Sequence, residues 1–320
     1  MLVRFWGTRG SLPVALRSES IQAKIAKALV AAGGRTFSDE AAAADFARSK
    51  LDFATFGAYG GATSCVEIEA GDGSFVICDM GSGLREFGLD SFRRIAEGHS
   101  AVYHFFLSHL HWDHIMGFPF FGPAFNPNAT IIVHSGHPDA EEALRRQQEE
   151  ISFPVPWEWL KARFEFVVHA PGESFEAAGL TVSLTTQHHS HDSYGFRFES
   201  GGKAVIYSTD SEHKVDNMAS EAAFEAFFRG ADLVICDTMY SLGDTASLKQ
   251  DWGHSSNVVA VDLCHGADAR RLVLFHHEPT YSDEDIQRMH NETIRYEELV
   301  RGESRPLEVI CSYDGLEVTV

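Results

Sequence analysis

Within Ser108 to His114 the chain places three imidazoles and a carboxylate: His109, His111, Asp113 and His114. Neutral imidazole is the commonest protein ligand for zinc and related metals, and carboxylate suits harder cations. His109 and His111, two apart, can converge on one ion. Asp113 and His114, adjacent on the turn that follows, can face a second. The alternative is a histidine-rich surface loop. The strongly apolar flanks argue against it, because imidazoles packed there without ligation would leave polar nitrogens unpaired. Trp112, in the middle of the cluster, reads as a core-packing side chain.

The elements around the cluster explain how it could be held. Ala101 to Leu107 is an apolar run that reads as a buried strand. The cluster therefore sits where a strand ends and a loop begins, a usual place for site residues on a rigid scaffold. Other polar residues are placed in the same way. Asp79 closes the apolar run Phe75 to Cys78, Asp210 follows Ala204 to Thr209, and His276 follows Leu272 to Phe275, with His277 beside it. His188, His189 and His191 lie together between Gln187 and Gly195.

Leu2 to Trp6 reads as a first strand. Ile21, Ile25, Ala28 and Leu29 recur at helical spacing, with Gly33 and Gly34 as a stop. Ser38 or Asp39 caps a second helix. Cys65 to Ala70 and Ser74 to Cys78 flank Gly71, Asp72 and Gly73, a hairpin signal. Short helices are expected over Ser91 to Glu97, Asp139 to Glu150 and Glu221 to Arg229. Ser255 or Ser256 can cap another before Val258 to Leu263. Phe153 to Trp159 is a loop with aromatic anchors. Ala129 to His134, Leu233 to Cys236 and Glu317 to Val320 are further strands. Leu180 to Thr186, Tyr194 to Glu199 and Lys203 to Ser208 read as an antiparallel group. Strands in two groups with helices between them indicate an α/β (α+β) protein with two sheets face to face and helices outside.

The composition sets bounds. The chain has 320 residues, 44% of them hydrophobic, enough for a sizeable core. No Pro/Ser-rich linker or solenoid repeat divides it, so a single domain over 1–320 is expected. Formal charge is -20. An acidic field repels phosphate backbones, which disfavours a large nucleic-acid footprint and leaves a small anionic substrate possible where bound cations dominate locally. The five cysteines form no CxxC pair and lie mostly in apolar runs, as buried thiols of a reducing compartment do. The N-terminus lacks signal-peptide architecture, and no apolar segment is long enough to span a bilayer. Cytoplasmic residence without membrane attachment is the expectation.

The HxHxDH pattern, followed in order by His189, Asp210 and His276 and preceded by Asp79, resembles the metallo-β-lactamase superfamily. Val3 to Pro13, Tyr59 to Cys65, Trp252 to Ser256 and Phe275 to Pro279 are similar to its phosphodiesterase-like branch. That branch includes phosphoribosyl cyclic phosphate phosphodiesterase, class II cyclic-nucleotide phosphodiesterases and RNase Z. The resemblance implies an αββα sandwich with the site at one edge between the sheets, and it makes about 15–55 a helical insertion. It implies two divalent ions, zinc foremost, with manganese or iron also suited. Site one would be His109, His111 and His189; site two Asp113, His114 and His276; Asp210 would bridge them. Asp79 would orient a ligand imidazole. Asp113 and His254 are the candidate catalytic groups, His254 as the acid that protonates a leaving group. His191 and His213 resemble positions near the substrate cleft.

The implied activity is hydrolysis of a small phosphodiester, cyclic diesters included, by a hydroxide bridging the metals. The alternatives are hydrolysis of a thioester, lactone or other acyl substrate, a mononuclear-iron sulfur oxidoreductase, and a metal-binding scaffold without turnover. Relatives are often dimers, so a homodimer is a further expectation. One departure stands out: relatives commonly carry Asn where this chain has Ala62.

Overall fold

The structure is a computed structural model that describes residues 1–69, 71–212, 218–241 and 253–320. Two runs, Phe75–Cys78 and Leu233–Asp237, are buried at every position. Only strands covered on both faces are buried throughout. They lie inside two seven-stranded sheets. The first runs in space β14 (Glu317–Thr319), β1 (Leu2–Gly7), β2 (Cys65–Glu69), β3 (Phe75–Cys78), β4 (Val102–Leu107), β5 (Thr130–Ser135), β6 (Arg163–Val168). The second runs β13 (Glu308–Cys311), β12 (Arg271–Phe275), β11 (Leu233–Asp237), β10 (Lys203–Ser208), β9 (Ser193–Ser200), β8 (Leu180–Gln187), β7 (Ser174–Ala177).

In each sheet four neighbouring strands are parallel: β3 to β6 in the first and β10 to β13 in the second. Their C-terminal ends therefore open along one edge of each sheet, where crevices form. The inner faces meet through Phe5, Val76 and Phe106 on one side and Phe196, Phe198, Tyr207 and Phe275 on the other. Helix Leu84–Ala96 buries Leu84 and Phe87 against the outer face of the first sheet. Helices Met218–Phe228 and Asn257–Gly266 cover the second, with Phe228, Ala260, Val261 and Cys264 in contact with Val234 and Leu274. The layers are thus αββα, as expected.

Several elements differ from the sequence reading. The helix expected at Ser91 begins at Leu84, because the backbone leaves the Gly81 to Gly83 turn already in helical conformation. Strands β6, β7 and β13 and the long helix Asp283–Val300, opened by a Ser282–Asp285 capping box, add to it. Helices Ser18–Ala32, closed by Gly33 at φ 58, and Glu40–Lys50, capped by Asp39, bury no residue. They ride on the surface, tied down where Lys24 Nζ reaches Gly57 O at 2.9 Å and Asp283 Oδ2 at 2.7 Å.

Candidate metal centre

Each donor singled out follows the C-terminal end of a strand: His109 to His114 after β4, His189 after β8, Asp210 after β10 and His276 after β12. At two of these ends, and at Asp79 after β3, the chain turns back through the left-handed region, with φ of 39° at Asp210, 63° at His276 and 60° at Asp79. Non-glycine residues avoid that region at a cost of about 1–3 kcal/mol, and they hold it where surrounding structure over-determines it. Neighbouring segments come close enough to leave no space for a side chain. A Cβ on Gly10 would lie 2.5 Å from His276 Cε1, and one on Gly253 would lie 2.4 Å from His189 Nδ1.

The donors fall into two clusters that share Asp210. In one, His114 Nε2 stands 3.1 Å from Asp210 Oδ1 and 3.2 Å from Asp113 Oδ2. His276 Nε2 stands 3.1 Å from the same Asp210 oxygen, 3.2 Å from Asp113 Oδ2 and 3.3 Å from His114 Nε2. Donors placed tetrahedrally around zinc, at its usual bond lengths, are separated by roughly 3.3–3.4 Å. The cluster matches that size without rearrangement. In the other, His111 Nδ1 lies 3.1 Å from His189 Nε2, and Asp210 Oδ2 lies 3.6 Å from His109 Nε2 and 3.7 Å from His189 Nε2. His109 Nε2 is buried there without a hydrogen-bond partner. A buried nitrogen with nothing to bond is costly, and a cation supplies the missing partner. The residues present fit divalent metal.

Hydrogen bonds on the far side of the rings fix which nitrogen faces inward. His189 Nδ1 donates to Gly253 O at 2.9 Å. His114 Nδ1 donates to Asp79 Oδ2 at 2.7 Å. With the proton on the outward Nδ1, each ring directs its Nε2 at its cluster, the atom a metal would take. Asp79 also accepts from Ser108 N at 2.8 Å, Ser108 Oγ at 2.7 Å and Tyr207 OH at 2.7 Å, so its carboxylate is held from all sides.

The field is strongly biased towards cations. Burial opposes ionising Asp113 and Asp210, but neighbouring imidazoles, His114 above all, outweigh it and hold both carboxyls well below the usual range. Burial also opposes charge on His114, and Asp210, Asp113 and Asp79 overcome it to push that pKa well above normal. His109 goes the other way, far down, through burial and the nearby His114. Ionised carboxylates beside a ring that resists protonation form a site where a divalent ion can replace protons.

A third group adjoins the clusters. His254 Nδ1 bonds Asp237 Oδ2 at 2.8 Å and stands 4.0 Å from Asp210 Oδ2. Its ring stacks on His276, with centroids 5.2 Å apart. Burial lowers the His254 pKa, but the charge of Asp237 and the bond to it prevail and raise it to about 9. Ser256 also caps the following helix by accepting from Val259 N, so one short segment both starts a helix and presents an imidazole.

Asp237 lies outside the sequence reading, although an Asp closing an apolar strand is the same signal that marks Asp79 and Asp210. Ser11 is also outside it: its N–H donates to Asp113 Oδ2 at 2.8 Å, and nothing in the local pattern announces this. His191 is exposed at φ 60° and belongs to neither cluster. His277 turns away to bond Ser312 O at 2.9 Å. Ala62 contributes backbone, its carbonyl accepting from Thr8 N and Arg9 N, both at 2.9 Å. His213 and Trp252 lie outside the described residues. Trp112 is not a core residue: it is 76% exposed, because Asp113 and His114 take the inward positions of its one-turn helix, Trp112–Ile115.

A family model described as the β-lactamase superfamily domain matches residues 76–277, which takes in both clusters. The chain belongs to the metallo-β-lactamase superfamily. Membership makes it a metal-dependent hydrolase. It is 23% identical over 278 residues to a ribonuclease Z of Bradyrhizobium sp. (strain ORS 278), covering 68% of this chain and 85% of that one. Among solved structures it is similar to the metallo-β-lactamase fold protein YhfI of Bacillus subtilis, with TM-score 0.64, 18% identity and coverage of 99% and 98% of the two chains. A diphosphatase of the PhnP family gives TM-score 0.61 at 18% identity, covering 100% and 97%. Among the described residues no helix is long and apolar enough to cross a membrane.

Proposed function

We propose that the protein is a dinuclear phosphodiesterase acting on a small phosphodiester, cyclic diesters included. The observation that carries this reading is the division of one carboxylate. Asp210 Oδ1 faces His114 and His276, while Oδ2 faces His109 and His189. His109, His111 and His189 would hold one divalent cation and Asp113, His114 and His276 the other, with Asp210 shared. The mixed nitrogen and oxygen set and the tetrahedral size favour zinc, and manganese or iron would also be accepted. Such a pair, when bound, supplies an activated water and neutralises charge on phosphoryl oxygens.

The chain's own groups do the rest. The Ser11 N–H holds Asp113 Oδ2, the oxygen that also faces His114 and His276. Asp237 keeps Nδ1 of His254 engaged, which leaves Nε2 free to give a proton to a departing oxygen. Two clusters sharing a carboxylate favour this reading over a single-iron sulfur oxidoreductase. The names of similar proteins, a ribonuclease and a diphosphatase, favour cleavage at phosphorus over acyl transfer. The net charge of -20 favours a small substrate over a long nucleic acid.

Elemental analysis of the purified protein, paired with turnover of bis(p-nitrophenyl) phosphate by the same preparation, tests this. The expected result is two ions per chain and diester turnover, with both ions lost together in Asp210→Ala. One iron per chain without turnover would overturn it, as would two ions with lactone or thioester hydrolysis and none of the diester.

A further inference from the structure

Trp112 lies between His111, a donor of one cluster, and Asp113, a donor of the other, and its indole is 76% exposed. On the other side of Asp113 in the hydrogen-bond network, Ser11 donates its N–H to Asp113 Oδ2 in a left-handed conformation at φ 58°. The next residue, Leu12, is 59% exposed, and Leu16 is 47% exposed. From Leu12 to Leu16 the sequence is entirely apolar, yet the segment lies on the surface. Large apolar groups left in water beside a polar centre mark a surface that something covers. A ligand pocket typically combines apolar walls with a few placed polar groups. Among the described residues no Lys or Arg pairs with Asp79, Asp113, Asp210 or Asp237.

Resting on the phosphodiesterase reading, we infer that the substrate carries a flat, apolar ester group, aryl or nucleobase-like, that stacks on Trp112 with Leu12 beside it. Indole is the side chain best suited to this, since a planar ring gains contact area at little cost in side-chain freedom. A strained Ser11 held by the metal ligand Asp113 would fix Leu12 relative to the reacting phosphate. Specificity would then come from one apolar substituent rather than from charge.

Two diesters with a common leaving group test it on the metal-loaded protein: p-nitrophenyl phenyl phosphate and p-nitrophenyl methyl phosphate. The wild type should prefer the phenyl ester by about tenfold in kcat/KM, the scale of one aromatic stack. Trp112→Ala should bring the ratio near one, chiefly through a higher KM for the phenyl ester, and Trp112→Phe should keep most of it. Because the side chain is exposed, neither change threatens folding. A ratio that survives Trp112→Ala overturns the inference. A wild type that hydrolyses both esters equally well overturns it too, while leaving the phosphodiesterase reading intact. A wild type that hydrolyses neither removes both.

Discussion

His254 and Asp79 do different work, and single substitutions should separate them. His254 stacks on His276 and packs against His189, and the Asp237 bond at 2.8 Å sets its orientation. His254→Ala should keep the metals and lower kcat by about 10²–10⁴, the usual range for general acid catalysis. The loss should be far smaller for a nitrophenyl ester than for an alkyl ester, because nitrophenolate leaves without a proton. Equal losses on both esters would show that His254 is not the acid. Asp79 makes no contact with a reacting atom, but it orients His114. Asp79→Asn keeps the shape and replaces an acceptor with a donor facing His114 Nδ1. Metal affinity should fall about 10–100-fold, measured by competition with a chelator, since partners of ligand imidazoles contribute on that scale.

Strand ends and glycines position the clusters, and two glycines that abut donor rings act on different ones. An added methyl at Gly10 would push on His276 Cε1 at 2.5 Å and on Met239 Cε at 2.4 Å. At Gly253, where φ is 83°, it would push on His189 Nδ1 at 2.4 Å. Gly10→Ala and Gly253→Ala should each release mainly one ion, leaving about one per chain by elemental analysis; loss of both from each would mean the clusters are not separable. Such close approaches are invisible in a single sequence, which shows Gly10 only as one of many glycines. What was legible was the pattern of apolar runs ending in Asp or His, because buried parallel strands need continuous apolar sequence and deliver their polar ends to one edge. Strand β6 was not, since its half-exposed positions alternate poorly, and β7 is a four-residue edge strand. In the sequence Trp112 reads as core because an indole among ligands resembles a packed side chain, and only the one-turn helix shows that it faces solvent.

At the scale of the whole molecule, a second histidine group, outside the donor clusters, joins the sheets. His104 Nδ1 meets His134 Nε2 at 3.1 Å, His134 Nδ1 meets His169 Nε2 at 3.0 Å, and His169 Nδ1 meets Glu173 Oε1 at 3.3 Å. If each ring is neutral and protonated on Nδ1, every contact is a hydrogen bond running towards the carboxylate. His134 stacks on Phe106, and His169 lies flat on Phe175 of the opposite sheet. Charge is disfavoured on His134 and His104. Burial, aided by His104 and His169, lowers the His134 pKa to about 3, and burial lowers that of His104 against the pull of Asp72 and Glu165. The unfolded chain, with histidine near 6.5, binds more protons than the folded one below that pH. The contribution to stability is therefore complete above about pH 6.5 and is lost progressively as pH falls towards 3. For His134 alone the loss between pH 7 and 5 is about 2 kcal/mol. His134→Phe keeps the stacking and removes the titration. It should be less stable than wild type at pH 7, by about 1–3 kcal/mol, because His104 and His169 lose a partner. The gap in urea midpoints should narrow or close at pH 5. A gap that stays constant between the two pH values would mean that the triad already carries a proton when folded.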